Sequence, residues 1–473
     1  MNNLNAASLI KAGRAVPEPF ELTVLRDGGT LSRITVLKIL RLLPARRIVA
    51  VAEDESGQLL IKLFIGRSAA RYTRREIRGV KAIESVGAKT PGLRWHGTLD
   101  SGDGEVVAFD YLGGADDLID VWQESSDEER HQLMKSVAPE LARLHENGVI
   151  QNDIHTENFL IYSGCIYTID GGDVSHAWSK QLGQRKSLQN LALFLAQFHA
   201  GNDASIPEVL SLYEEARGWR PSLRRQEDLY RMVRTKRNQR KNNLIKKAFR
   251  ECTRFSCRSG FRRFTVCERK YDSRQMQSLL ADPDSAMAEG TLLKDGNTAT
   301  VAVVSGPSGR LVIKRYNIKS FGHRLTRMFR RSRASASWAN TLRLEFLGIR
   351  TLKPVALVEE RFGPLRGRAW FITEYLEGRD GSTLNEAGEQ EEAMRSMVEI
   401  LKSLTEAGVT HGDLKASNFL LTSEGAVIID LDSMAEHDRG DSGHEAQARD
   451  LERFMRNWTG APELEKRFAD LLQ

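Results

Sequence analysis

The chain has few cysteines and no long apolar run. Its four cysteines, Cys165, Cys252, Cys257 and Cys267, are too few and too unevenly spaced for a disulfide framework. The last three fall close together, but they lack a paired CxxC and a nearby histidine, which favours free thiols over a metal site. No apolar run approaches the roughly 20 residues that a spanning helix needs. We therefore expect reduced thiols and no membrane-spanning helix.

The start of the chain lacks a basic segment followed by a long apolar core and a cleavage site. We therefore expect no secretion and a cytoplasmic location. With 473 residues, of which 41% are hydrophobic and 28% charged, the chain suits a globular protein of two domains. The formal charge is only +6, but residues 234–250 contain eight basic residues and no acidic one.

Two segments of the chain are close copies of each other. VIQNDIHTENFLIYSGCIYTIDGGD occupies residues 149–173, and VTHGDLKASNFLLTSEGAVIIDLDS occupies residues 409–433. Each copy holds an aspartate, an asparagine five residues later and a second aspartate twelve residues further on: Asp153, Asn158 and Asp170, and Asp413, Asn418 and Asp430. Phosphoryl transfer from ATP needs a carboxylate that accepts a hydroxyl proton and hard oxygen ligands for Mg²⁺. The alternative, a polar loop between buried strands, is disfavoured by two copies in the same register.

HGDLKASNFLL followed by IIDLD resembles the catalytic and metal-binding loops of protein-kinase-like phosphotransferases. The Phe-Leu after the asparagine, the short insert before the metal aspartate and SWANTLRLEFLGIRTLKPVALVE are similar to bacterial lipopolysaccharide kinases, the Kdo and heptose kinases. The resemblance implies an α+β fold with two tandem kinase-like domains, each a small β-rich N-lobe and a mainly helical C-lobe. We predict these domains at 1–233 and 273–473, with a basic linker or helix at 234–272.

The resemblance implies ATP and Mg²⁺ as cofactors and assigns roles in the two loops. The expected bases are Asp413 and Asp153, and Lys415 is expected to contact the transferring phosphate. The expected metal ligands are Asn418, Asp430, Asn158 and Asp170.

Further nucleotide contacts are expected in the β-rich lobes. Lys62 and Lys314 each lie on an alternating strand, where a kinase lysine pairs with ATP phosphates, and Glu76 is the expected helix partner of Lys62. Gly296 lies in the small turn DGNTAT, and Glu374 lies in the predicted hinge WFITEYLEG. Taken singly, Lys62 and Glu76 are also compatible with solvated surface charges.

Each repeat departs from the kinase pattern. Gln151 and Asn152 replace the His-Gly before the first aspartate, GGD follows Asp170, and no glycine-rich loop precedes the first lysine. In the second repeat, Ser337 stands at the position of the helix glutamate, so Asn340 or a neighbouring group is expected to replace it. We expect the second domain to carry most of the turnover and the first to bind nucleotide or substrate with little chemistry.

Three further residues have expected supporting roles. His411 is expected to brace the second catalytic loop, and Asp450 to anchor its backbone, with Asn190 at the matching position of the first repeat. Asp432 is interpreted either as a further metal ligand or as part of a solvated turn.

The favoured function is ATP-dependent phosphorylation of a sugar hydroxyl, on heptose or Kdo, in the lipopolysaccharide inner core. A protein Ser/Thr kinase or another small-molecule kinase is one alternative, but no APE-like segment or long activation loop follows Asp430. A pseudokinase-type scaffold is another, because each half lacks one expected group.

The expected partners follow from the same resemblance and from the charge distribution. They are the lipopolysaccharide core or its lipid-linked precursor and, through the basic linker, the anionic surface of the inner membrane. A solvated linker helix is the alternative for the basic run. Nucleic acid is disfavoured because no recognisable binding motif accompanies the run.

Overall fold

The computed structural model describes residues 3–177, 181–317, 331–363, 365–386, 390–437 and 441–472. The chain divides into two compact units, residues 1–238 and 239–473. Both units mix helices with several sheets, consistent with the predicted α+β class.

The first unit begins with a β-rich part, a closed six-stranded barrel in the order β1-β2-β3-β4-β6-β5. Alternate side chains of these strands are buried, because one face of each strand lines the barrel core. The strands are β1 (Phe20–Arg26), β2 (Leu31–Leu43), β3 (Arg47–Asp54), β4 (Gly57–Ile65), β5 (Leu93–Leu99) and β6 (Gly104–Asp110). Helix α1 (Ala6–Ala12) precedes the barrel, and α2 (Ala69–Ser85) follows β4. The predicted strand carrying Lys62 is confirmed as β4.

The rest of the first unit is mainly helical. Its helices are α3 (Leu118–Glu124), α4 (Asp127–Glu146), α5 (Gln184–Leu195), α6 (Ile206–Ala216) and α7 (Leu223–Lys247), the last of which continues past the unit boundary. Short strands frame the catalytic-loop copy: β7 (Asp116–Asp117), β8 (Val149–Gln151), β9 (Phe159–Tyr162), β10 (Cys165–Thr168) and β11 (Val174–His176). A capping box formed by Ser126 and Glu129 begins α4.

The second unit begins with a seven-stranded antiparallel sheet in the order β12-β13-β17-β18-β16-β15-β14. The strands are β12 (Phe255–Ser259), β13 (Arg263–Glu268), β14 (Thr291–Asp295), β15 (Ala299–Gly306), β16 (Gly309–Tyr316), β17 (Pro354–Phe362) and β18 (Leu365–Glu374). Among the described residues, the helices that accompany them are α8 (Arg274–Ala281), α9 (Pro283–Glu289) and α10 (Arg333–Leu347). The predicted strand carrying Lys314 is confirmed as β16.

The segment predicted as a basic linker or helix, 234–272, is helical at its start but not in its second part. Its first part continues helix α7, and its second part forms β12 and β13, which belong to the sheet of the second unit. The reason is that Phe264 and Val266 alternate with partly exposed neighbours on β13 and are buried under the sheet.

The remainder of the second unit is again mainly helical. Its elements are β19 (Arg379–Asp380), α11 (Gln390–Glu406), β20 (Val409–Thr410), β21 (Phe419–Thr422), β22 (Gly425–Ile428), β23 (Ala435–Glu436), α12 (Asp441–Met455) and α13 (Pro462–Leu472). Helix α11 buries one apolar face, formed by Met394, Met397, Leu401 and Leu404.

No helix within the described ranges is both long enough and apolar enough to cross a membrane. The basic run 234–250 lies on and just beyond α7, and it is not uniformly exposed. Arg237 is buried and pairs with Asp203 at 2.7 Å, and Lys241 is buried and pairs with Glu436. Two of its eight cations are therefore neutralised within the fold.

Candidate active site

A short hairpin positions the catalytic-loop copy of the second unit. Strands β21 and β22 pair with Phe419 opposite Ile428, and both side chains are buried. Asn418 comes immediately before this hairpin and Asp430 shortly after it, and the Ile429 N–H donates to the Asn418 carbonyl at 2.8 Å. Asp430 adopts left-handed backbone angles, φ 63° and ψ 54°, which a non-glycine residue rarely takes. The apolar hairpin therefore fixes both polar groups on a rigid support.

The first aspartate of this loop lies next to its two expected companions. The Asn418 side chain donates through Nδ2 to the Asp413 carbonyl at 2.7 Å, and this leaves its amide oxygen available as a ligand. Lys415 Nζ lies 2.8 Å from Asp413 Oδ2. The Asp413 side chain is 46% exposed, so an acceptor from solvent can reach its carboxylate.

The sheet lysine and the second aspartate meet directly. Lys314 Nζ lies 2.5 Å from Asp430 Oδ1. Burial alone raises the pKa of Asp430, but the Lys314 ammonium outweighs it and, with His411 and Arg333, holds that pKa below its usual range. The carboxylate is therefore ionised at neutral pH, as a metal ligand must be.

Two groups hold the backbone of this loop. His411 is fully buried, and its Nε2 donates to the Ile429 carbonyl at 2.9 Å. The Asp450 carboxylate accepts from the N–H groups of His411, at 2.5 Å, and of Gly412, at 3.1 Å. His411 therefore braces the loop, and Asp450 anchors its backbone, as expected.

The first unit brings together its own lysine, glutamate and aspartate. Lys62 Nζ lies 2.5 Å from Glu76 Oε1 and 3.1 Å from Asp170 Oδ1. Burial lowers the pKa of Lys62, but the two carboxylates outweigh it, so the net direction is upward. Burial raises the pKa of Asp170, but Lys62 and Arg47 hold it below its usual range. Asp170 also has left-handed angles, φ 68° and ψ 72°, matching Asp430.

Gln151 provides a brace that sequence reasoning missed. Its Nε2 donates to the Ile169 carbonyl at 2.9 Å, which is the contact and the distance that His411 makes with Ile429. Asn190 donates through Nδ2 to the Gln151 carbonyl at 2.7 Å. This loop therefore has a brace although the histidine is absent, because an amide N–H fills the same place as an imidazole N–H.

The first aspartate of this unit has a companion that was also missed. Asn158 Nδ2 donates to the Asp153 carbonyl at 3.0 Å, as in the second unit. His155 Nε2 lies 2.9 Å from Asp153 Oδ1, where the second unit has a lysine. The two-residue spacing that singled out Lys415 also identifies His155.

Two glycines explain how Glu76 reaches the lysine. A Cβ on Gly171 would lie 2.5 Å from the Glu76 carbonyl oxygen and 2.6 Å from Val80 N, so α2 packs directly on the GGD segment. The Gly171 N–H in turn donates to Glu76 Oε1 at 3.1 Å. Asn340 and Leu431 occupy the positions of Gly79 and Gly171 in the second repeat. The GGD sequence, which departs from the kinase pattern, therefore lets α2 pack closely enough to bring Glu76 to Lys62.

The second unit replaces this arrangement differently from our expectation. Asn340 Nδ2 donates to the Leu431 carbonyl at 2.7 Å. Its amide therefore connects helix α10 to the segment that follows Asp430 and does not pair with Lys314. Ser337 hydrogen-bonds to the Tyr316 hydroxyl at 2.7 Å. Asn340 therefore does not stand in for the missing glutamate; Asp430 itself is the carboxylate that contacts the lysine.

Asp432 does not lie in a solvated turn, and its role as a metal ligand stays a prediction. Its side chain is only 5% exposed and pairs with Arg333. The Arg333 guanidinium neutralises the carboxylate, so Asp432 forms an ion pair between helix α10 and the segment that follows Asp430.

Gly296 and Glu374 lie in the elements expected for them. Gly296 follows β14 in the turn to β15, and its carbonyl accepts from Asn317 Nδ2 at 3.0 Å. Glu374 ends β18, and its carboxylate accepts from the Tyr271 hydroxyl at 2.5 Å. The Glu374 N–H is also engaged, since it donates to the Lys353 carbonyl at 3.0 Å.

A cavity of about 450 Å³ opens between the barrel and the helical part of the first unit. Its polar lining includes Lys62, Glu76, Asn158 and Asp170, of which Lys62 contacts both Glu76 and Asp170. The apolar lining includes Leu40, Val49, Leu60, Phe109 and Leu160, and the hinge residues Asp110, Tyr111 and Leu112 also border it. An apolar slot that ends in cations and carboxylates suits a flat base attached to phosphates.

Replacing Gly171 with alanine is expected to destabilise the first unit by about 1–3 kcal/mol, since the added methyl group forces backbone apart. Separating α2 from the loop should also weaken nucleotide binding by that unit. Chemical denaturation and nucleotide titration measure the two effects. Gly201→Ala is the control, because this glycine has open space around it and no left-handed backbone angles. Equal losses in both variants would contradict the packing role.

The chain was compared with known proteins. No curated protein matches it. A family model described as Lipopolysaccharide kinase (Kdo/WaaP) family matches residues 290–472, which contain Lys314, Asp413 and Asp430. The enzyme class predicted from the sequence is thereby confirmed: this chain is a kinase, and its second unit is similar to the lipopolysaccharide kinases.

Proposed function

We propose that the second unit transfers the γ-phosphoryl group of ATP to a sugar hydroxyl, on heptose or Kdo, in the lipopolysaccharide inner core. The observation that carries the proposal is the convergence of Lys314, Asp430, Asn418 and Asp413 within the segment that the lipopolysaccharide kinase family model matches.

Each residue has a defined part in that reaction. Asp413, exposed and hydrogen-bonded to Lys415, orients the acceptor hydroxyl and accepts its proton. Lys415 and Lys314 place positive charge where the phosphates lie, and the turn at Gly296 can approach them closely. The ionised Asp430 carboxylate and the Asn418 amide oxygen are the hard ligands that suit Mg²⁺. When bound, Mg²⁺ would neutralise charge on the phosphates.

The loop after Asp430 supports a non-protein acceptor. Helix α12 begins at Asp441, so residues 431–440 leave no room for a long activation loop. Transfer of labelled phosphate from ATP to purified core lipopolysaccharide, and to a protein mixture, distinguishes the two acceptors. Labelling of protein alone would favour the protein-kinase alternative, and labelling of neither would favour a scaffold.

We further propose that the first unit is a second kinase-like unit that binds nucleotide in its 450 Å³ cavity. Lys62, held by Glu76 and Asp170, would contact the phosphates, and Asn158 with Asp170 would supply metal ligands. In the first unit, His155 occupies the position that Lys415 has in the second unit, where the lysine supplies a permanent positive charge. We therefore propose that Asp153 is the weaker base and that the second unit is the main site of turnover.

The brace formed by Gln151 has a reciprocal test. Gln151→Ala leaves the part-buried Ile169 carbonyl without this donor and should cost about 1–3 kcal/mol. Gln151→His and, in the second unit, His411→Gln should each retain stability, because both side chains place an N–H at the same carbonyl. Thermal unfolding with and without Mg·ATP compares these variants. A Gln151→His variant as unstable as Gln151→Ala would contradict the equivalence.

A further inference from the structure

Two phenylalanine side chains project from neighbouring turns of the second unit. Phe261, between β12 and β13, is 61% exposed, and Phe362, at the end of β17, is 63% exposed. Their ring centroids lie 4.9 Å apart. The Gly363 N–H donates to the Phe261 carbonyl at 3.0 Å and holds the turns side by side. The fold therefore presents a fixed pair of large apolar rings to water, which is unfavourable unless a partner covers them.

The same two turns are strongly basic. Segments 258–263 and 361–368 contain six arginines and no acidic residue. Arg262 is exposed directly after Phe261, and Arg258 is also exposed, although it lies near enough to Asp272 to help lower the pKa of that carboxyl. Three of the other arginines pair with carboxylates of the same unit: Arg361, Arg366 and Arg368. A projecting aromatic pair flanked by exposed cations combines the two features that bind anionic bilayers, shallow apolar insertion and attraction to headgroups.

We propose that this tip, defined as Phe261, Phe362, Arg258 and Arg262, docks the chain on the anionic surface of a phospholipid bilayer. Two rings offer too little apolar area for a stable protein interface, which buries roughly 1,200 Å² or more. Insertion at a bilayer surface requires no such area. The tip also differs from the basic run 234–250, in which two cations are already buried in ion pairs.

Docking through this tip limits which acceptor can reach the cleft, a step that rests on the proposed function. Strand β18 runs from Leu365, beside the tip, to Glu374 in the hinge, and ten strand residues span roughly 30 Å. With the tip in the bilayer surface, the cleft would stand up to that distance away from it. The acceptor hydroxyl must therefore project from the bilayer surface, as the sugars of a lipid-linked chain do and a phospholipid headgroup does not.

Co-sedimentation of the full-length chain with vesicles tests the docking directly. We expect binding to vesicles of phosphatidylglycerol with phosphatidylcholine and little binding to phosphatidylcholine alone. The Phe261→Ser/Phe362→Ser variant should bind at least about tenfold more weakly, because it loses the apolar insertion. Arg258→Gln/Arg262→Gln should also weaken binding and reduce its dependence on salt.

Two double variants serve as matched controls. Leu292→Ser/Leu293→Ser removes a pair of apolar side chains, 54% and 57% exposed, from β14 at the other edge of the sheet, and should leave vesicle binding unchanged. Lys246→Gln/Lys247→Gln removes two exposed cations from the basic run and should cost less than the loss of the two arginines.

Three results would overturn the proposal. The first is vesicle binding as strong as wild type in the double phenylalanine variant. The second is equal binding of the wild-type chain to neutral and anionic vesicles. The third is a larger loss of vesicle binding in Lys246→Gln/Lys247→Gln than in Arg258→Gln/Arg262→Gln. A double phenylalanine variant that binds vesicles normally but changes the sedimentation coefficient would instead assign the rings to a contact with a second copy. Phosphoryl transfer to a soluble core oligosaccharide should be unchanged in this variant, so failure of docking and failure of the proposed kinase function are separable.

Discussion

Replacing Asp413 with alanine is expected to lower the rate of phosphoryl transfer to the core acceptor by about 10²- to 10⁴-fold, the usual contribution of a general base. The fold should survive, because the side chain is 46% exposed and its only described side-chain partner is the exposed Lys415. Steady-state transfer of labelled phosphate from ATP, with circular dichroism as the folding check, measures both effects.

The matched control is the same change in the first unit. Asp153 is 68% exposed, and its carbonyl accepts from Asn158 as the Asp413 carbonyl accepts from Asn418. Asp153→Ala should reduce transfer to the core acceptor much less than Asp413→Ala does. If Asp153→Ala were as inactive as Asp413→Ala with both proteins folded, the first unit would be an active kinase in its own right. Wild-type activity in Asp413→Ala would remove this loop from the reaction.

Replacing Asp430 with asparagine is expected to weaken Mg·ATP binding by the second unit at least about tenfold, since a neutral amide replaces an ionised ligand. The change also removes the negative partner of Lys314, 2.5 Å away, and leaves that ammonium without its ion pair. Isothermal titration of the full-length chain with ATP, at high and low Mg²⁺, measures the loss.

Asp170→Asn is the comparison for the other unit. If each unit binds one nucleotide, Asp430→Asn and Asp170→Asn should each weaken a different one of two sites, and the double variant should weaken both. Unchanged Mg·ATP affinity in Asp430→Asn would contradict its role as a metal ligand. Loss of both sites from either single change would contradict two separate nucleotide sites.

The parts of the site that could be predicted from the sequence depend on local pattern. Lys62 and Lys314 follow from period-2 alternation, which places them on strands β4 and β16. Asp430 follows from two short apolar runs that form a hairpin, β21 and β22, in front of it. The spacing of residues within one continuous segment was therefore enough to predict the position of Asp430 after the hairpin.

The parts that could not be predicted depend on contacts between distant segments. Gln151 braces its loop because its amide N–H meets the Ile169 carbonyl, a fact that chemical similarity to histidine does not suggest. Asp432 pairs with Arg333, 99 residues away in sequence, so its neutralisation was invisible in the motif. Strand β13 was assigned to the linker because a short alternating segment follows a long basic run, and only its pairing with β17 places it in the sheet.

The measurement that most directly tests the assignment of function is mass spectrometry of core oligosaccharide from cells that lack this protein. We predict a core that has lost a phosphate from one sugar, with the phosphate restored by the wild-type gene and by the Asp153→Ala variant but not by Asp413→Ala. A core with its full complement of phosphate in the absence of the protein, or restoration by Asp413→Ala, would contradict the assignment of the second unit as a lipopolysaccharide core kinase.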